Sequence, residues 1–237
     1  MEILNNNHRK LNPNAGDAYG AAWDIMWKNF IILFVVSIIY GIISGPFASF
    51  QWNFSDGFKT GFDFNPGLAW IFAPLAILAI GFSIFVSGPI GYSVKWVFLK
   101  AVRGEKYEIK DMFAVFQRNY WNAVLGGIVV GIIVGIGIVM LIVPGIIFSC
   151  RLAFVPYLII DREMEITEAL NKSWEMTKGY GWQIFFMGIL SFFIIIAGLL
   201  ALFFGVFISI VWISTAFATI YQAVVEEEGH FQEAVAA

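Results

Sequence analysis

Charge is what this sequence has least of. Lys, Arg, Asp and Glu make up 13% of the 237 residues, about half of what a water-soluble domain needs to coat its surface. Hydrophobic residues make up 59%, so a bilayer, not water, is the expected main solvent. The single cysteine, Cys150, excludes an internal disulfide and a cysteine-built zinc site; it lies in an apolar stretch, where packing is its expected role. The two histidines, His8 and His230, both fall in polar terminal segments, which excludes an HExxH metal site and a histidine relay within the membrane. There is no GxSxG elbow and no phosphate-cradling P-loop. With a formal net charge of −3 and no basic stretch interleaved with aromatics, nucleic acid is not an expected partner. Neither a cofactor nor a metal is expected, and the chain is not expected to be an enzyme.

What the sequence does have is long apolar runs. The N-terminus is polar from Asn5 to Asn14, and the first run, starting near Phe30, is too long for a signal-peptide core, so an uncleaved span is expected. A hydrocarbon core of about 30 Å takes roughly 20 helical residues. Six stretches meet that need, at about 30–50, 68–97, 122–143, 146–160, 182–198 and 203–225. The expected organisation is an all-α membrane domain over 14–225, a polar tail over 1–13 and an acidic, solvated tail over 226–237. Trp52 follows the first span at an expected interface, and Pro74 and Pro89 are expected kink sites in the second. Only Pro144 and Gly145 separate the third and fourth spans, which predicts a tight hairpin there. From Trp182 to Val225 the chain stays apolar for what would be about 65 Å of helix, twice the bilayer core, so it must fold back between Gly198 and Gly205.

Basic residues in short loops stay on the cytoplasmic side. Arg9, Lys10 and Lys28 precede the first span; Lys95, Lys100, Arg103, Lys106, Lys110 and Arg118 cluster between the second and third; Arg162, Lys172 and Lys178 lie between the fourth and fifth. The opposite loops carry only Lys59, so both termini are expected in the cytoplasm.

Two pairs of segments align. DAYGAAWDIM at 17–26 matches EALNKSWEMT at 168–177, and GPIGYSVK at 88–95 matches PGIIFSCR at 144–151, setting Lys95 against Arg151. A third helix-like pattern opens at Asp111 with Met112, Phe113, Phe116 and Tyr120. The unit they suggest is an amphipathic interfacial helix followed by a transmembrane hairpin, used three times. The alternative, that membrane hairpins share composition by necessity, stays open. The expected apolar stripes are Tyr19, Trp23, Met26, Trp27 and Phe30 in the first copy, and Ile166, Leu170, Trp174 and Thr177 in the last. The last helix is expected to start at Thr167 as N-cap, to pair Glu168 with Lys172, and to end at Gly179.

Gly127, Gly131 and Gly135, with Gly41 and Gly45, recur at four-residue spacing, which lets helix backbones approach; helix packing is the expected role, and a contact between copies the alternative. Arg151 stands within the fourth span, about 7 to 8 Å from the outer end expected at Ile146. A charge at that depth is costly and often functional. The six spans contain no internal Asp or Glu, and Asp161 lies too far along the helix to pair with Arg151 simply. Two readings are open. Arg151 faces a polar crevice and meets phosphate, or main-chain carbonyls freed by Pro156; or it snorkels to the outer headgroups. Lys95 is a second candidate contact, near enough to its span's cytoplasmic end to snorkel there.

Residues 142 to 182 resemble the membrane domain of bacterial glycerophosphoryl diester phosphodiesterases and its stand-alone relatives. The likeness rests on Pro144, Gly145, Arg151, Pro156, Asp161 and the pattern Glu168, Ala169, Leu170, Ser173, Trp174, Lys178 and Gly179. In the fused proteins the phosphodiesterase chemistry belongs to a separate soluble domain, and these 237 residues hold neither the length nor the histidines for one. The resemblance implies a bacterial cytoplasmic-membrane protein associated with lipid or amphiphile metabolism. The resulting expectation is a non-enzymatic module that binds, positions or translocates a lipid or other amphiphile. A structural protein that recruits a protein partner or a second copy is the competing class, and an intramembrane enzyme the least supported.

Overall fold

The structure, a computed structural model, describes residues 12–59, 74, 77–201 and 204–236, and every regular element in it is helical. The first is α1, Ala15–Lys28, capped by the Asn14 side chain, which accepts from the Gly16 amide at 3.2 Å. Asn29 ends it, and the chain turns through 96° into α2, Phe30–Lys59. Small residues let α1 lie close to its neighbours: Ala15, Ala18 and Ala22 are buried with Tyr19 and Met26. Of the expected stripe, Tyr19 and Met26 turn inward. Trp23 and Trp27 stay 40% and 48% exposed on the flank of the helix.

The long helix α3, Ile77–Arg103, carries Pro89 through a π-turn at Ser83–Ser87, where the Gly88 amide donates to the Ser83 carbonyl. Pro89 has no N–H to give the Phe85 carbonyl; the Tyr120 hydroxyl donates to it instead, at 2.7 Å. The helix ends at Gly104, whose φ of 69° suits a residue without a Cβ. Most of 68–76, where the second span was expected to begin, lies outside the described residues, as does the N-terminal tail before Asn12.

A 3-10 helix, Ile109–Phe116, opens with a capping box between Glu108 and Asp111 and leans on α3, with the Val115 amide donating to Ser93 Oγ at 2.8 Å. Then come α4, Tyr120–Met140, and α5, Ile142–Arg151. The hairpin turn between them is the single extended residue Leu141, not the expected Pro144 and Gly145. Those two sit in the first turn of α5. Pro144 is tolerated there because the first amides of a helix have no intrahelical partner. Gly145 is needed because a Cβ would lie 2.8 Å from the Ile138 amide nitrogen of α4. The expected fourth span breaks at Leu152–Phe154 and resumes as α6, Val155–Asp161.

The short helix α7, Ile166–Met176, follows; its N-cap is Glu165, not Thr167, and it leads to Gly179 at φ 90°. Its buried face is Ala169, Ser173, Met176 and Thr177, so Trp174 is at its edge, 39% exposed. The final hairpin is α8, Gly181–Leu200, and α9, Phe204–Ala236, with a Cβ on Gly198 only 2.6 Å from the Gly205 carbonyl oxygen. The fold-back thus falls where it was expected. The expected acidic tail does not: Glu226 to Glu228 continue α9, and ion pairs hold Glu228 in place.

The chain is thus an all-α membrane fold. Ile77–Arg103, Tyr120–Met140, Ile142–Asp161, Gly181–Leu200 and Gly205–His230 are each long and apolar enough to cross a bilayer, and α1 with the first half of α2 makes a bent sixth candidate. A short helix stands before each hairpin: α1, the 3-10 helix and α7. Large, fully buried side chains gather where α3, α6 and α9 meet, among them Phe98, Leu99, Phe154, Leu158, Ile160 and Tyr221. The glycine ridges are not part of it. Among the described residues a Cβ on Gly41, Gly45, Gly131 or Gly135 meets no atom within 4 Å, and one on Gly127 meets only Tyr92 Oη at 3.8 Å. Close approach occurs instead at Gly126, Gly137, Gly145, Gly198 and Gly205, because the side chains around each glycine, not the spacing, decide which helix face meets another.

Candidate functional site

Six of the twelve basic residues that set the expected orientation pair with carboxylates near the end of the bundle where α3, α6, α7 and the 3-10 helix meet. Arg103 grips Asp161 with both arms, Nη1 to Oδ1 at 2.5 Å and Nη2 to Oδ2 at 2.8 Å, while its Nε donates to Gln222 Oε1 at 2.7 Å. The Tyr221 hydroxyl adds a bond to Asp161 Oδ2 at 3.2 Å. Arg118 pairs with Glu163 at 2.9 Å, and Glu228 receives Lys172 in a short contact and Arg162 at 3.8 Å. Lys172 therefore turns to Glu228 and to Glu175, leaving Glu168 exposed in the first turn of α7, where its charge favours the helix dipole. Lys100 lies 3.7 Å from the Trp96 ring centre and pairs with Asp111 at 3.0 Å. Burial works against the Asp111 carboxylate, but the Lys100 contact and the Glu108 amide together hold its pKa below the usual value. At the entry to α8, burial and then Glu227 push the Tyr180 phenol up to about 12.

Two cations within the helical body meet no carboxylate among the described residues, and they are the two singled out in the sequence. Lys95 rests over the Tyr157 ring, 5.7 Å from its centre, held within the bundle against α6 where a snorkelling lysine was expected. Arg151 rests over the Trp174 ring, at 5.6 Å. The structure gives the two different partners and does not join them in one site.

The surroundings of Arg151 follow from Pro156. In an unbroken helix the Val155 amide would donate to the Arg151 carbonyl and the amide of residue 156 to that of Leu152. Pro156 has no amide hydrogen, so Val155 donates to the Leu152 carbonyl at 3.2 Å. That leaves the Arg151 carbonyl, which accepts the Ser173 hydroxyl at 2.8 Å and the Thr177 hydroxyl at 3.3 Å. Ser173, Trp174 and Pro156 thus form one unit: the proline opens the ladder, the serine closes it from α7, and the tryptophan ring supports the guanidinium above.

This narrows the sequence reading of Arg151. The freed carbonyls are taken by Val155, Ser173 and Thr177, so the guanidinium does not serve them. It does not snorkel outward either, since Trp174 precedes α8 and lies at the end of the bundle opposite the turns at Leu141 and Ala201. Arg151 Nη1 is fully buried and donates to no acceptor. A buried guanidinium N–H without a partner costs a sizeable fraction of a fold's stability.

Beside it runs an apolar crevice of about 610 Å³ between α5 and α8. Ile146, Cys150 and Ala153 form one wall, Ile184, Gly188 and Phe192 the other, and Phe217 of α9 reaches in. Ser149 is the one hydroxyl on its lining; it donates to the Ile146 carbonyl at 2.9 Å. Thr177 was expected only as part of an apolar stripe, and Glu228 only as part of a tail. The hydroxyls at 173 and 177, one helical turn apart and downstream of a helix-breaking proline, were the sequence signal for the carbonyl they serve.

Comparison with known proteins agrees with the resemblance read from residues 142 to 182. Neither the search of curated proteins nor that of solved structures gave a match. Residues 127–226, from α4 into α9, match the family described as the membrane domain of glycerophosphoryl diester phosphodiesterase. Over those residues, which hold Arg151, Pro156, Ser173 and Trp174, the chain is similar to that membrane-domain family.

Proposed function

We propose that this membrane protein binds an amphiphile, with an acyl chain in the crevice between α5 and α8 and the polar end toward Arg151, as a binding, positioning or translocating module and not as an enzyme. The observation that carries this reading is the fully buried, unpaired Arg151 Nη1 on the helix whose neighbouring residues line an apolar crevice. The crevice volume of about 610 Å³ falls within the ~300–1,000 Å³ of small-molecule sites. The basic residues near α3, α6 and α7 support an orientation with both termini in the cytoplasm, and the resemblance to the phosphodiesterase membrane domain supports a bacterial cytoplasmic membrane.

The test is steric. Gly188 lines the crevice, and a Cβ there meets nothing within 4 Å. Gly188→Leu therefore fills the crevice while raising helix propensity. Native mass spectrometry from mild detergent is expected to find co-purified lipid on the wild type and much less on Gly188→Leu. Equal lipid on both would overturn the reading.

A second reading has its own observation. Gly131 and Gly135 are open on α4 among the described residues, which favours a contact with a second copy or a protein partner. A stoichiometric dimer in the same spectra, lost on Gly131→Leu, would support it.

A further inference from the structure

We propose that the amphiphile is a phosphate-bearing lipid whose phosphate is separated from its acyl chain by a polar spacer, as in a glycerophospholipid or its lyso form. The proposal rests on the crevice reading and adds the chemistry of the head. Three features define the head subsite. The guanidinium has a buried N–H with no acceptor, so it calls for an oxyanion. Its plane is steadied by the Trp174 ring at 5.6 Å, and its backbone is fixed by the Ser173 and Thr177 hydroxyls on the Arg151 carbonyl. No carboxylate side chain pairs with it among the described residues, so no internal anion competes for it.

The spacer follows from where the two subsites lie. Cys150 and Ser149 line the crevice, whereas Arg151 and Trp174 do not. On a helix, consecutive residues point about 100° apart, so the guanidinium stands to one side of the crevice mouth, over α7. A fatty acid carries its carboxylate on the last carbon of the chain and cannot fill the crevice and reach that fork at once. A lipid with a glycerol-like linker can, and its phosphate offers the oxygens a guanidinium binds two at a time.

The experiment uses the full chain, delipidated in maltoside detergent, and follows its thermal denaturation with four probes: 1-oleoyl lysophosphatidic acid, oleate, monoolein and inorganic phosphate. Ligand that binds the folded state raises the transition temperature with concentration. Lysophosphatidic acid is expected to stabilise at the lowest concentration, with oleate and monoolein weaker and inorganic phosphate without effect at matched concentration. Arg151→Gln and Arg151→Lys are each expected to weaken lysophosphatidic acid by about ten- to a hundredfold and to leave monoolein unchanged. Gly188→Leu is expected to weaken all three chain-bearing probes. If oleate matches lysophosphatidic acid, or if Arg151→Lys binds it like the wild type, the spacer-and-fork proposal fails while the crevice reading stands. If no chain-bearing probe stabilises the wild type, or Gly188→Leu changes none of them, both fail.

Discussion

Replacing Ser173 by alanine perturbs the break between α5 and α6 at one atom. Ser173 is fully buried, and its hydroxyl donates to the Arg151 carbonyl at 2.8 Å. Thr177 lies 3.3 Å from the same oxygen, but its one hydroxyl hydrogen has a nearer acceptor in the Ser173 carbonyl at 2.8 Å. The net value of one such bond is about 0.5–1.5 kcal/mol, and a buried carbonyl left without a partner costs about 1–3 kcal/mol. Because Thr177 can swing to serve Arg151, Ser173→Ala is expected to cost about 1 kcal/mol, and Ser173→Ala with Thr177→Val about 2–3 kcal/mol. The double loss should exceed the sum of the two single losses, since each hydroxyl substitutes for the other. Denaturant titration in mild detergent measures the stability. Cys150, the only cysteine and the residue next to Arg151, gives a local readout through its rate of maleimide labelling, which should rise in the same order. Unchanged stability and labelling in Ser173→Ala, together with costs additive to within about 0.3 kcal/mol in the double variant, would refute the claim that α7 closes the break.

Asp161→Asn should be more costly, about 2–4 kcal/mol, because it leaves the Arg103 guanidinium part-buried without its bidentate partner; the apolar pair Arg103→Met with Asp161→Leu should cost less than the single change, and the opposite order in melting temperature would argue against a buried ion pair there. Gly145→Ala should lower the melting temperature markedly, as its Cβ meets the α4 backbone at Ile138, while Gly131→Ala, in open space on the same hairpin, should be neutral or slightly stabilising; equal effects at both would mean that the hairpin is not packed as described. Cysteines replacing Asp56 and Lys106 in a Cys150→Ser background should label oppositely with an impermeant reagent in intact cells, position 56 reacting and position 106 protected; the reverse pattern would invert the orientation.

The all-α membrane fold, the fold-back between Gly198 and Gly205 and the left-handed Gly179 were legible in the sequence, and Arg151 and Pro156 stood out there, because each follows from a local rule. Bilayer thickness sets the length of an apolar run, positive φ favours glycine, and a charge in an apolar run is conspicuous. What the sequence could not decide was pairing. Gly131 and Gly135 obey the packing spacing yet face open space among the described residues, while Gly137 and Gly145, which share no such spacing, bring α4 and α5 together. Glu228 and Arg103 each look like a solvated charge until the fold brings them to Lys172 and Asp161. The chain can show that Pro156 frees a carbonyl and that Ser173 and Thr177 share a helix face. Only the return of α7 against α5 brings the two together and sets Arg151 over Trp174, because contact across that distance in sequence depends on the angles and lengths of every helix between.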